Sequence, residues 1–217
     1  MRGLSDRAEW VMEPRCFASA GVWGRGDDLD VTLRLLMNVA ALLMVGAISP
    51  TLSSSADETR RGHVLIGGTT AQKLEVRKAL DASAFNWHVV PVVVKIRIVD
   101  GPKSWARRGE IHLSAELLDK GRASWGTVQH EFAHQVDLYL LDDADRKRIR
   151  KALGGYAWLP KNKAVPHAER GAERFASTFA WAYWQSQNSS MRPRSAEDES
   201  AAMKPAQFRA LLARVLP

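Results

Sequence analysis

The chain has 217 residues, 46% of them hydrophobic and 25% charged, with 15 glycines, 9 prolines and a single cysteine. This composition is that of a globular protein with an apolar core, long enough for one domain plus an extra segment, and it excludes collagen-like, coiled-coil and disordered classes. Net charge is +7 with a pI near 9.8. One cysteine, Cys16, excludes an intramolecular disulfide and any cysteine-rich zinc site, so a metal here must be held by His and carboxylate groups.

The positive excess is not spread evenly. Residues 1–62 carry seven basic and eight acidic groups, and residues 63–217 carry twenty-four and sixteen. The densest run is Arg146, Lys147, Arg148, Arg150 and Lys151, followed by Lys161 and Lys163. Such a field over residues 146–163 attracts an anionic surface such as a cell wall or membrane, although a solvated helix face gives the same pattern. No aromatic-interleaved or helix-turn-helix signature accompanies it, which disfavours nucleic acid as the partner.

Residues 1–30 are polar and aperiodic. Residues 35–48 are then almost wholly apolar, broken only by Asn38, with Arg34 in front and Ser49 and Pro50 behind. About 15 residues is short of the roughly 20 that span a bilayer, but it is the length of a signal-peptide core. Gly46, Ala47 and Ser49 resemble a cleavage region. Three readings stand together: a signal peptide, with translation starting near Val31; an uncleaved anchor; and a buried core helix. The first two expect a secreted or membrane-anchored protein, the third a cytoplasmic one. Residues 50–62 are rich in Ser, Thr and Arg and read as a linker. The expected organisation is an N-terminal segment over 1–62, with its apolar run at 35–49, and a single domain over 63–217.

Within that domain the spacing of Ala71, Leu74, Val76 and Leu80 predicts a helix over 69–81. Residues 89–99 are rich in β-branched types and predict a central strand, ended by Asp100, Gly101 and Pro102. Residues 110–115 alternate, with Ile111, Leu113 and Ala115 on one side, as a half-buried strand does. Helical patterns follow over 127–140, 144–153, 166–187 and 205–215. Strands first and helices afterwards define an α+β class.

The chemistry concentrates at His130-Glu131-Phe132-Ala133-His134, an H-E-x-x-H on a predicted helix. Residues four apart share a helix face, so both imidazoles can reach one cation. Glu131 points about 100° round the axis, close enough to hold a water on that cation without ligating it. Zinc makes such a water acidic, and the carboxylate takes its proton as it attacks a peptide carbonyl. Chance alone gives this pattern in about one sequence in a hundred of this composition, so its surroundings must decide. Phe132, Val136, Tyr139 and Leu140 cluster on the side of the helix away from both histidines.

A later helix offers a partner for the histidine side. Phe175, Ala176, Phe179 and Tyr183 form its apolar stripe, and Glu173 stands at the border, where a packed carboxylate must be paired, hydrogen-bonded or metal-bound. Catalytic zinc takes three protein ligands and leaves a fourth position for water, and Glu173 would complete that set. Glu169, one turn earlier, is the alternative ligand or a supporting group. His167 is a further candidate, and Asp137 is either an imidazole partner or a surface residue. Tyr156, His167 and Tyr183 remain open as donors to a developing oxyanion. His63, His88 and His112 read as structural, and the tryptophans, Trp181 and Trp184 among them, as core anchors.

His130 and His134, followed by Glu-x-Phe-Ala-x-x-Phe-Ala from Glu173 to Ala180, resemble the gluzincin branch of the zincin metallopeptidases in a compact form, over roughly residues 90–187. The resemblance implies a zincin-like α+β fold: a small mixed sheet with an edge strand over the active-site helix, then a mostly helical C-terminal half. It implies one Zn2+ per chain on His130, His134 and Glu173, Glu131 as the catalytic residue, and hydrolysis of a peptide or protein substrate. It also implies that the strand around residues 111–115 is the edge strand, binding substrate backbone by strand addition. Two other functions stand beside metallopeptidase: a non-catalytic zinc-binding protein of the same fold, which would not need Glu131, and a basic nucleic-acid-associated protease.

Overall fold

The structure, a computed structural model, describes residues 62–162 and 164–216. The apolar run at 35–49 and the linker up to residue 61 lie outside the described residues, as does the division at residue 62 that rests on them. Within the described part the chain is α+β. β1 (His63–Gly67), α1 (Thr70–Asp81), β2 (Val94–Val99), β3 (Trp105–Arg107) and β4 (Glu110–Ser114) come first. The helices α2 (Ala115–Leu118), α3 (Trp125–Leu140), α4 (Asp143–Leu153), α5 (Gly171–Tyr183) and α6 (Pro205–Leu212) follow. Among the described residues no helix is long and apolar enough to cross a membrane.

The four strands form one mixed sheet in the order β1-β2-β4-β3. β1 and β4 run parallel to β2, and β3 closes the sheet antiparallel to β4, with Trp105 opposite His112 and Arg107 opposite Glu110. Period-two alternation sends Leu65, Val94, Ile96, Ile98, Ala106, Ile111 and Leu113 to the buried side, where they join Val76, Ala79, Leu80, Phe132 and Val136 in one core. That core continues through Phe175 and Phe179 of α5 to Ile149, Leu153, Phe208 and Leu212. α3 therefore lies between sheet and α1 on one side and α5 on the other.

Several sequence expectations shift for local reasons. The strand expected over 89–99 is two elements, a 3-10 turn at Trp87–Val89 and β2 from Val94, because Pro91 between them can donate no ladder hydrogen bond. The strand around 111–115 is not the sheet edge: β4 is enclosed by β2 and β3, and the edge position belongs to β3, a three-residue strand too short to show a period. α1 buries Gln72, Val76, Ala79 and Leu80, while Ala71 and Leu74 face solvent. Gln72 earns its buried place by capping Thr69 and bonding Asp119. The helix expected from 166 begins only at Gly171, after a 3-10 turn at His167–Glu169, and ends at Tyr183.

The β3–β4 hairpin is clamped to α3 by one amide. Gln135 accepts from the Gly109 N–H at 2.8 Å and donates to the Arg107 carbonyl at 2.9 Å. On the opposite face of the sheet the Trp105 ring stacks on His112 at 3.8 Å, and Arg97, Arg107 and His112 surround Glu110. Burial opposes ionisation of Glu110, but hydrogen bonds from Arg107, Arg97 and His112 hold its carboxyl at about 2. A carboxyl held below its unfolded value adds stability that is complete above that value and lost as pH falls through the folded one. Glu110→Gln should therefore flatten the fall in thermal midpoint between about pH 5 and about pH 2, followed by circular dichroism. Parallel curves for wild type and variant would show that this cluster contributes nothing.

Candidate metal centre

α3 carries no charged residue in its first turn, and every residue from Gly126 to Asp137 is buried. Its Phe132 points to the sheet side, against the rings of His63 and Trp87. His130 and His134, one turn apart, face α5 instead. There Glu173 is the third residue of the helix, beside the fully buried Phe175, Ala176 and Phe179. His130, Glu131, His134 and Glu173 are each at most 2% exposed.

Three ligand atoms converge. His130 Nε2 lies 3.2 Å from Glu173 Oε2 and 3.2 Å from His134 Nε2, and His134 Nε2 lies 3.5 Å from Glu173 Oε2. This buried group, His130, His134 and Glu173, can hold a metal ion. The spacing fits one: a tetrahedral ion with bonds of roughly 2.0–2.1 Å separates its ligands by about 3.3–3.4 Å.

The hydrogen-bond chemistry behind His130 fits as well. Ser177 Oγ donates to Glu199 Oε2 at 2.7 Å, so its one hydrogen is committed and it accepts from His130 Nδ1 at 3.1 Å. Burial keeps His130 neutral by lowering its pKa. Its proton is then on Nδ1, and Nε2 presents a lone pair to a carboxylate oxygen. Two acceptors facing each other at 3.2 Å are repulsive unless a cation lies between them. Burial also opposes ionisation of Glu173, yet charge on His134 and hydrogen bonds from His134 and His167 hold it well below the usual carboxylate range. Burial opposes charge on His134 too, but Glu173, Glu131 and Asp137 raise its pKa.

Glu131 is different. Its Oε1 is buried with no hydrogen-bond partner. Burial, reinforced by Glu173 and opposed by His134 and His167, pushes it up to about 8. A buried carboxyl oxygen left without a partner is costly.

The start of α5 fixes where Glu173 stands. The Gly171 and Ala172 N–H groups donate to the Ala157 and Trp158 carbonyls at 2.7 and 3.2 Å, so the preceding loop caps the helix. A Cβ at Gly171 would lie 3.1 Å from the Trp158 ring and 3.2 Å from the Ala157 carbonyl, so any larger residue would require these neighbours to give way. Trp158 is held in turn by Asp137, which accepts from its indole N–H at 3.1 Å and from Arg146 at 2.7 Å. Asp137 is fully buried and serves this bracket rather than an exposed surface.

Other residues singled out in the sequence fall into place around the cluster. Glu169 lies before the helix begins and is exposed; its backbone N–H donates to the Pro166 carbonyl and its carbonyl accepts from the Tyr156 N–H. It is not part of the ligand group. Tyr156 is 72% exposed, and Tyr183 packs among Phe85 and Phe179, which leaves neither at the cluster. His167 is there: Nε2 lies 3.1 Å from Glu173 Oε2, and Nδ1 bonds Glu199 Oε1 at 2.7 Å. Burial works against its charge, but the two carboxylates push it up to about 10. Ser177 and Glu199 escaped sequence reasoning. Ser177 sits one turn after Glu173 on the same helix and was legible as a neighbour, whereas Glu199 arrives from a distant 3-10 turn at Glu199–Ala201 with no spacing to announce it.

Comparison of the chain with protein-family models, with curated proteins and with solved structures gives no match. The chemistry therefore rests on these side chains. With Zn2+ as the probe at about a hundred times its Kd, the full chain should gain roughly 2.7 kcal/mol, several degrees in thermal midpoint. His130→Ala and Glu173→Ala should abolish that gain and Glu169→Ala should leave it. The opposite order for the two glutamates in the same melting assay would displace Glu173 from the site.

Proposed function

We propose that the protein is a zinc-dependent peptidase, a compact zincin of gluzincin type, in which His130, His134 and Glu173 hold the metal and Glu131 is the general base. The observation that carries this is the buried triangle of ligand atoms with a buried, unpartnered carboxyl oxygen on the residue next to the first imidazole. Two imidazoles and one carboxylate are a donor set that hydrolytic zinc uses while keeping a position open. When bound, zinc supplies Lewis-acid polarisation of the scissile carbonyl and makes water acidic near neutral pH.

The chain's own groups divide the remaining work. Glu131 takes a proton from the attacking water and delivers it to the amine nitrogen as the C–N bond breaks. Its Oε1, buried with no hydrogen-bond partner in the chain, leaves the carboxyl free for that two-way transfer. His167, the most open member of the group with 21% of its side chain exposed, is the candidate donor to the carbonyl oxygen. β3, the edge strand clamped to α3 by Gln135, offers an extended peptide a backbone to pair with.

A protein that only stored zinc would gain nothing from burying Glu131 without a partner. The basic run supports a nucleic-acid role little, because Arg146 is paired with Asp137 and Arg148 with Asp145. Glu131→Gln should keep zinc, melt at a higher temperature because a buried acid is gone, and lose more than about a hundredfold in cleavage of an unbiased peptide library. Undiminished cleavage by that variant, with zinc bound, would remove Glu131 from the mechanism, and no cleavage by the zinc-loaded wild type would remove the peptidase assignment.

A further inference from the structure

We infer that Glu199 is the positioning residue of this centre: its two carboxylate oxygens orient two histidines, His167 directly and His130 through the Ser177 hydroxyl. This deepens the metal-site assignment above and rests on it for its consequence. Glu199 Oε1 takes the Nδ1–H of His167 at 2.7 Å, and Oε2 takes the Ser177 hydroxyl hydrogen at 2.7 Å. With its hydrogen spent, Ser177 Oγ accepts from His130 Nδ1 at 3.1 Å. Because a carboxylate only accepts, every hydrogen in this chain must point toward Glu199. His130 thereby carries its proton on Nδ1 and turns the Nε2 lone pair to the site.

The carboxylate is built into its place. The Thr178 hydroxyl on α5 donates to the Glu199 carbonyl at 3.1 Å, and Asp198 caps the preceding turn by accepting from the Arg194 and Ser195 N–H groups. The neighbouring Ser200 is buried. Only a group that accepts at both ends can serve both histidines. An amide at position 199 has one accepting and one donating end. With its oxygen toward His167, its NH2 fills Ser177 Oγ, and the serine hydrogen turns to His130 Nδ1, moving that ring's proton to Nε2. With its NH2 toward His167, it faces the donor on that ring. In either pose one histidine is lost.

The test is 15N NMR of the full chain labelled at histidine, read beside zinc affinity by chelator competition and the far-UV circular dichroism spectrum. Wild type should show His130 with its proton on Nδ1. Glu199→Gln should keep the fold, move one of the two ring signals, and weaken zinc by 10- to 100-fold. Ser177→Ala should change the His130 signal alone and leave that of His167. A wild-type His130 protonated on Nε2 would overturn the proposal without any variant, and so would a folded Glu199→Gln protein with both rings and zinc affinity unchanged. If the rings behave as expected but no peptide is cut, the peptidase assignment fails alone. If peptide is cut and zinc bound while His130 shows the other tautomer, the positioning role fails alone.

Discussion

Glu173 Oε2 stands 3.2, 3.5 and 3.1 Å from the Nε2 atoms of His130, His134 and His167, among side chains almost wholly removed from water. Desolvating that many ionisable groups costs several kcal/mol for each ion unless partners and hydrogen bonds offset it. The offset depends on distance, so α3 and α5 must be held in one relative position. Apolar packing supplies much of the restraint: Phe132 against Trp87, Phe179 between Trp87 and Phe208, and Phe175 against Trp158. Polar brackets supply the rest. Asp137 on α3 holds the indole of Trp158, whose backbone caps α5, so one aspartate spans from the histidine helix to the glutamate helix.

The same economy explains the arginines. In the sequence they form a positive field, but in the fold many of them end on carbonyls. Arg150 donates to Gly155, Arg174 to Leu153 and Ala168, and Arg170 to Val165. A guanidinium presents several donors in a fixed fork and can satisfy loop carbonyls that no secondary structure reaches. Between them these three residues tie down the loop from 153 to 168 that precedes α5. Charge counting could not reveal this, because a donor bound to a carbonyl keeps its charge.

The α+β order and the extents of α1, α3 and α4 were legible to within a few residues, since each has a periodic apolar pattern or a capping residue. So were His130 and His134, whose spacing on one helix is geometry in its simplest form. Glu173 was legible because a carboxylate at the edge of an apolar stripe needs a reason. What failed to show were contacts between distant segments. β3 holds three residues, too few to display a period, and in β1 the consecutive Val64, Leu65 and Ile66 show no alternation. Glu169 stands as an alternative to Glu173 only on a helix that begins at 166; Gly171 starts it later and strands Glu169 outside. Asp137 resembled a surface residue until Arg146 and Trp158 closed over it, and Glu199 had no pattern at all.

Two carboxyls of this site share a dry environment and are driven in opposite directions. Glu173 is surrounded by three imidazoles and is held well below the usual range, while Glu131 has an oxygen with no partner and is pushed up to about 8. Burial acts on both in the same sense, so the difference comes from neighbours alone. A carboxylate that does not take up a proton is suited to gripping a cation, and one that exchanges a proton near neutrality is suited to moving it. Separation of this kind between paired titratable groups is what acid–base chemistry requires of a protein. Here it accompanies a plain feature of helical spacing: α3 points its two histidines at α5, and the glutamate between them keeps one buried oxygen with no hydrogen-bond partner.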